Sequence, residues 1–408
     1  MNYLCTVNLS RKEKLILVLI LGSISAIGPF TIDMYLPGFL EIAKDLGTTE
    51  KHMSYTLTSY FVGISIGQLI YGPIIDKFGR KKPLMLGLSI FSIASLLIIF
   101  SPNISFMIFM RFVQALGASV GMVASISIIR DIFEGKEIAK MLSNIMLVMG
   151  IAPVIAPTLG SLLLNHYQWQ AIFVFLFLFS ILVLAGIYFK LKETSDYQPS
   201  ISLKVKSTLG SYYKVMKNPS FMKFTISGSV AMSILFCYIA SIPFVYMNYY
   251  GVSEQTFGWL FGLNAIALII GSQINRLLLK NLPLISLTNI IFGSIIFVIA
   301  VLLTLMYFTN LSLIVFGGFI FIIMFFIGFL NPNAMALAME NVNKNIGLAS
   351  ALNGSFRMAF GAFVSALIGV FYTGTPHAFI WFILILSILS FGLHTWAVRD
   401  KRKKLRRN

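Results

Sequence analysis

Three charged side chains stand where charge is costly. Asp33, Arg111 and Arg357 each lie inside a long apolar run of the 408-residue chain. An ionisable group in such a run either handles ions and substrates or is paired off structurally. Burial disfavours the charged form of a carboxyl, and a neighbouring cation favours it. A carboxyl that gains and loses a cationic neighbour while its exposure alternates is therefore a proton carrier. Asp33 is the candidate for that task. The competing reading is a helix-end residue near headgroup depth, since Pro37 follows closely. By helical rise, Asp33 lies about 5 Å and Arg111 about 8 Å from the same face of the bilayer core. The two can face each other, and Arg111 is expected to tune Asp33. The alternative is a structural arginine bonded to backbone carbonyls. Arg357 lies about 17 Å from the inner end of its run, near the midplane. It either binds an electron-rich substrate or holds polar partners such as Asn264 or Tyr238.

The elements that position these residues are legible as hydropathy. A helix crosses the bilayer core with about 20 apolar residues. Twelve such runs occur, at 15–36, 53–74, 83–101, 106–129, 142–164, 170–190, 221–247, 256–275, 284–307, 311–335, 346–371 and 376–397. The chain is 58% hydrophobic and 11% charged, against about 25% charged in soluble domains. That excludes a soluble enzyme, a disordered chain and a nucleic-acid-binding domain. The first run is too long for a signal peptide and Asp33 interrupts it, so it reads as a retained helix.

The net charge is +17. Placing both termini in the cytoplasm gathers nearly all of it on that side, in short segments, as the positive-inside rule requires. The basic run Lys401–Arg407 then reads as an anchor on anionic lipid. The polar stretch 191–220, a cytoplasmic linker, separates an N-terminal bundle (1–190) from a C-terminal bundle (221–397), with a basic cytoplasmic tail at 398–408. Traces of duplication agree. Leu46–Glu50 precedes the second run and Tyr250–Glu254 the eighth. Gly72-(x)3-Asp76-Lys77 is echoed by Gly271-(x)3-Asn275-Arg276. Repeats of this kind place a substrate site between the halves.

Several strings carry further chemistry. Gly72-Pro73-Ile74-Ile75-Asp76-Lys77-Phe78-Gly79-Arg80 joins the second and third runs. It reads as a tight turn in which Asp76 pairs with the basic residues, or as a purely topogenic loop. Pro153 and Pro157 fall on one helix face, and each removes an intrahelical hydrogen bond. Gly150 and Gly160 admit a neighbouring helix. The plain alternative is a packing kink. Gly63/Gly67 and Gly117/Gly121 are small-residue pairs for helix packing. Trp169 and Trp259 are placed like interface anchors. Met34, Tyr35, Phe236 and Tyr238 are candidates to line an apolar cavity. No phosphate-binding loop or H-E-x-x-H string occurs, and the four histidines are scattered. Cys5 and Cys237 cannot form a disulfide framework or a four-cysteine zinc site. Neither an enzyme nor a metal site nor a cofactor is expected, and an ion gradient is left as the energy source.

Set in their twelve-run context, these strings resemble the major facilitator superfamily. The loop Gly72–Leu84 carries that likeness. Thr31-Ile32-Asp33-Met34-Tyr35-Leu36-Pro37, Arg111–Gly117 with Arg130-Asp131, Ile151–Gly160, Pro243-Phe244-Val245 and Gly347–Arg357 narrow it to the bicyclomycin-resistance (Bcr/CflA) branch of the drug:proton antiporters. Ser161 departs from the pattern, where relatives often carry a second glycine, and looser helix packing is expected there. The resemblance implies an all-α membrane protein whose twelve transmembrane helices form two pseudo-symmetric six-helix bundles. It implies proton-coupled multidrug efflux by alternating access in a bacterial cytoplasmic (inner) membrane, by a monomer handling small drug-like molecules and protons. Asp33 and Arg111 would couple protons. Met34, Tyr35, Phe236, Tyr238, Asn264 and Arg357 would line the substrate cavity. Gly72, Asp76, Gly79 and Arg80 would form the conformational-switch loop, and Gly150, Pro153, Pro157 and Gly160 the antiporter kink. A proton-coupled nutrient importer of the same fold, or a non-transporting membrane sensor or scaffold, are the other readings.

Overall fold

The computed structural model describes residues 10–195, 197–198, 205–340, 342, 346–371 and 374–405. Cys5, part of the 191–220 linker, Thr373, Arg406 and Arg407 lie outside them. Twelve of the described helices are long and apolar enough to cross a membrane. They are α1 (Arg11–Asp33), α2 (Glu50–Phe78), α3 (Lys81–Ile99), α4 (Ile104–Ile132), α5 (Gly135–Leu164) and α6 (Gln170–Lys190) in the first half. The second half holds α7 (Pro219–Pro243), α8 (Glu254–Leu278), α9 (Leu284–Phe308), α10 (Leu313–Met339), α11 (Ile346–Phe371) and α12 (Pro376–Leu405). No strand occurs among the described residues.

Polar caps start these helices where the apolar runs begin. Ser10 and Glu13 form a reciprocal capping box on α1. The side chains of Asn103, Asn218, Ser253 and Ser312 accept backbone N–H groups at the starts of α4, α7, α8 and α10. Each satisfies donors that no helical carbonyl can reach.

Within each half, small residues bring backbones together, because dispersion contact and hydrogen bonding drive association in lipid. A β-carbon on Gly63 would lie 2.6 Å from the Phe112 carbonyl, and one on Gly67 2.0 Å from the Ser119 hydroxyl, so α2 lies tight on α4. Gly117 meets the Gly87 carbonyl on α3, and Gly121 meets Ile24 on α1. The second half repeats the device between α8 and α10. There Gly271 abuts the Phe325 carbonyl, Gly328 abuts the Leu268 carbonyl, and Asn275 and Asn333 exchange two hydrogen bonds of 2.8 and 3.0 Å.

Two seams join the halves. Along one, α2 meets α11 through Ser54–Ser365 and Ser65–Ser355, Gly354 makes room for Gln68, and Phe61 of α2 packs on Phe236 of α7 beside them. Along the other, α5 meets α8, where Gly262 faces the Val154 carbonyl and Gly258 the Pro157 carbonyl. A shift of six helices converts one seam into the other, which is the pseudo-twofold relation. Arg80–Lys82, Lys190–Lys192 and Arg399–Lys403 share one end of the bundle, the basic side. At the opposite end the halves close through Phe39 on Phe244, whose ring centroids are 5.6 Å apart.

Ser161 tightens that closure, contrary to the looser packing expected of it. Its hydroxyl lies 2.8 Å from the carbonyls of Pro157 and of Glu254, so it ties α5 to the start of α8. Trp169 also corrects its reading as an interface anchor. It is 2% exposed, its indole N–H donates to Asp45 at 2.7 Å, and its ring packs on Phe173. Trp259 remains 68% exposed, as an anchor should be.

Candidate functional site

Asp33 is the last residue of α1. A turn at Leu36–Gly38 follows, so the carboxyl sits where the helix ends inside the protein. It is only 4% exposed, so the side chain is packed inside the protein and not against lipid. It lies within electrostatic range of the hydroxyls of Tyr60 on α2 and Tyr238 on α7. A carboxyl of the first half therefore faces the second half across the joint. Tyr238 accepts a 3.0 Å hydrogen bond from the Asn264 amide, which also reaches Tyr246 at 3.5 Å.

Arg111 on α4 is fully buried. Its guanidinium carbon sits 4.3 Å from the ring centre of Tyr35 and 4.4 Å from that of Tyr60. Two aromatic faces stabilise a desolvated cation by about 2 kcal/mol or more each. Nη1 donates to the Gln114 carbonyl oxygen at 2.7 Å, and the Gln114 amide donates to Ser95 at 2.8 Å. Gln114 is three residues further along the helix, hence on the same face. Tyr35 donates to Thr56 at 2.6 Å, whose own hydroxyl is committed to the Met53 carbonyl. Arg111 makes no ion pair with Asp33 among the described residues, and its Nε and Nη2 have no hydrogen-bond partner. Tyr60 stands within electrostatic range of both charges. The two tyrosine rings occupy the space beside the guanidinium.

The cavity candidates separate into groups. Met34 and Tyr35 are wholly buried in the first half, and Phe236 packs on Phe61 and Gly361. Tyr238 and Asn264 pair with each other beside Asp33. Arg357 corrects its expected partners: it bonds Asn331 on α10, by both the side chain and the backbone carbonyl, and neither Asn264 nor Tyr238. Asn331 is exposed, so this cation borders open space. Asn331 and Tyr60 were missed by motif reading. A polar Asn331-Pro332-Asn333 string in an apolar run was the available signal.

The paired prolines lie inside a continuous α5. Gly160 is pressed on the backbone of Met34, where a β-carbon would lie 1.9 Å from the carbonyl oxygen. Gly150 has only Ile269 within reach, at 3.7 Å.

On the basic side, Arg80 binds Asp76 at 2.7 Å and Asp131 at 2.8 Å, with the Ile75 carbonyl at 2.9 Å. Gly79 has φ +85°, which favours glycine. Glu193, just past α6, accepts from the backbone N–H of Arg80 at 2.7 Å and Lys81 at 3.1 Å, capping α3 from a distance. Gly79 leaves the space Glu193 needs, since a β-carbon there would fall 2.7 Å from its carboxylate. Glu193→Ala is expected to lower stability by about 1 kcal/mol, the worth of a helix cap, read as a lower thermal midpoint in detergent.

Known proteins share this architecture. The family model described as Major Facilitator Superfamily matches residues 18–366. An uncharacterized MFS-type transporter, YdgK, of Bacillus subtilis (strain 168) is 38% identical over 391 residues, 95% of this chain and 97% of that protein. The bicyclomycin resistance protein homolog of Haemophilus influenzae is 31% identical over 361 residues, 88% of this chain and 90% of that one. Among solved structures, a bacterial homologue of the human lysosomal transporter Spinster, inward-facing and unoccupied, superposes with a TM-score of 0.73 at 12% identity, covering 96% of this chain and 98% of its own. A D-xylose–proton symporter gives 0.70 at 13% identity, covering 94% and 97%. At such identities the likeness is one of fold.

Proposed function

We propose that this chain, which belongs to the major facilitator superfamily, exports small drug-like molecules in exchange for protons by alternating access. It is a multi-pass membrane protein. Its proposed setting is the bacterial cytoplasmic membrane, with both termini and the basic side inside. The observation that carries the reading is Asp33, a buried carboxyl at the joint between the halves, with Tyr60 between it and a buried guanidinium that has no ion pair among the described residues. The resistance protein homologue of Haemophilus influenzae supports the choice of drug-like cargo.

The cycle follows from the placement of charge. With the outer end closed at Phe39–Phe244, substrate enters from the basic side and reaches Arg357 and the exposed Asn331 deeper in the bundle. Ionised Asp33 and Arg111 then attract each other across Tyr60. Rocking about the two seams opens the outer end, substrate leaves, and Asp33 takes a proton from outside. Protonation neutralises the carboxyl that lies near Tyr238 of the second half, and the halves return. The proton gradient supplies the energy and no cofactor takes part.

The test is purified protein in liposomes under an imposed pH gradient, screened against a drug panel for substrate-dependent proton flux. Export predicts proton movement opposite to substrate. Substrate accumulation in the same direction as protons overturns it in favour of import.

Arg111 offers a separate check. Methionine fills much of the same space but gives up both ring contacts and leaves the Gln114 carbonyl oxygen without its donor. Arg111→Met is therefore expected to lower the thermal midpoint while the protein stays folded, and proton-coupled flux to fall to background. A variant that unfolds instead would mark Arg111 as structural.

A further inference from the structure

The linker between the halves holds a helix, Val205–Met216, that the transport cycle above does not use. One face is bound to both halves. Pro73 has no backbone N–H, so the Leu69 carbonyl of α2 lacks its helical partner. The Tyr212 hydroxyl donates to that carbonyl at 3.0 Å. Burial, with Asp76 nearby, pushes the Tyr212 hydroxyl up to about 12, so it stays protonated and remains a donor. Tyr212 and Val215 pack with Phe221 of α7 and with Ala349 and Leu352 of α11.

The other face is open. Leu209 is 61%, Tyr213 60% and Met216 40% exposed. Their spacing of i, i+4 and i+7 makes one apolar stripe. Lys206 and Lys217 fall beside the stripe on the flank away from Tyr212, with Lys214 further round, and all three are exposed. Lys217 reaches over the Tyr213 ring at 5.0 Å. No acidic residue occurs between Asp196 and Glu254. Three large apolar side chains flanked by cations only, at the membrane-proximal end of a spanning bundle, match an interfacial helix on an anionic surface.

We propose that the Val205–Met216 helix lies on the membrane leaflet of the basic side. Leu209, Tyr213 and Met216 enter the acyl boundary, and Lys206, Lys214 and Lys217 hold the phosphates of anionic phospholipids. Since the same helix grips α2, α7 and α11, anionic lipid steadies the contact between the halves at this end. The inference needs only the membrane position of the bundle, and it stands whether the cargo moves out or in.

The test uses the full chain with Leu209→Cys in a background of Cys5→Ser and Cys237→Ala, labelled at position 209 with a polarity-sensitive fluorophore. The labelled protein is reconstituted in vesicles of phosphatidylcholine alone or of phosphatidylcholine with phosphatidylglycerol. Blue-shifted emission and protection from an aqueous quencher are expected in the anionic vesicles, weakening as salt rises. Each lysine changed to glutamine at 206, 214 and 217 should reduce the inserted-to-free ratio by about fivefold, and the lysine-to-arginine triple variant should retain it. Equal protection in both vesicle types, or a label open to quencher in both, overturns the proposal. Protection that follows protein density instead of lipid charge also overturns it and indicates a second copy as the occupant.

Discussion

Asp33→Asn is expected to reduce substrate-driven proton flux to the level of protein-free vesicles while leaving the protein folded. Asparagine keeps the size and polarity of the side chain and cannot carry a proton. The site is 4% exposed, and the side chain makes no ion pair among the described residues that the change would break. An unpaired buried carboxylate carries a desolvation cost that asparagine does not, so the thermal midpoint should stay level or rise. The informative contrast is between net transport and exchange. Uphill movement driven by a pH gradient should disappear, because coupling needs a titrating group at the joint. Substrate-for-substrate exchange should persist, because it needs only a binding site and the rocking motion. Asp33→Glu should recover part of the flux. Full flux in the asparagine variant would end the carrier role. Loss of exchange together with thermal stability would assign Asp33 to packing.

Arg357 shows where reading a sequence stops. Hydropathy and helical rise place it near the midplane, and they give its depth within α11. They carry no information on which neighbouring helix faces it, so sequence names partners such as Asn264 or Tyr238 without choosing among them, and the fold supplies Asn331. The residues of the proposed carrier cluster divide in the same way. Asp33 and Arg111 are legible because a charge in an apolar run is anomalous. Tyr60, which links them, is invisible because a tyrosine in an apolar run is ordinary. Gln114 lies one turn from Arg111 and was readable from spacing alone. Tyr212 needed two facts together: Pro73 leaves a carbonyl open, and only the fold brings the linker to it. Trp169 failed for a further reason. Its position at a run's edge fits an anchor, but its indole had a private acceptor in Asp45. Local pattern fixes helices and depth, while rotation about each helix axis comes from tertiary packing.

Gly160→Ala is expected to damage transport and stability, and Gly150→Ala to do neither, although both glycines belong to one proline-containing string. Alanine is favoured over glycine in a helix by about 1 kcal/mol, so an unconstrained site gains. Gly150 is such a site. Its nearest neighbours are Ile269 side-chain atoms at 3.7 and 3.8 Å, an ordinary contact distance. At Gly160 the added carbon would lie 1.9 Å from the Met34 carbonyl oxygen and 2.9 Å from its carbon. Those are backbone atoms at the end of α1, and they cannot rotate away. Either α5 withdraws or the turn after Asp33 is displaced, with an overpacking cost of about 1–3 kcal/mol. Withdrawal would pull Ser161 from the Glu254 carbonyl and loosen the outer closure. Displacement would move Asp33 relative to Tyr60 and Tyr238. Both routes reach the proposed carrier, which gives the backbone contact a mechanical meaning: α5 is pressed on the residue next to Asp33, so bending at Pro153 and Pro157 would be felt there. Thermal midpoints and gradient-driven flux of the two alanine variants, measured side by side, decide the matter. A Gly160→Ala protein with wild-type values on both would show that α5 and Asp33 move independently.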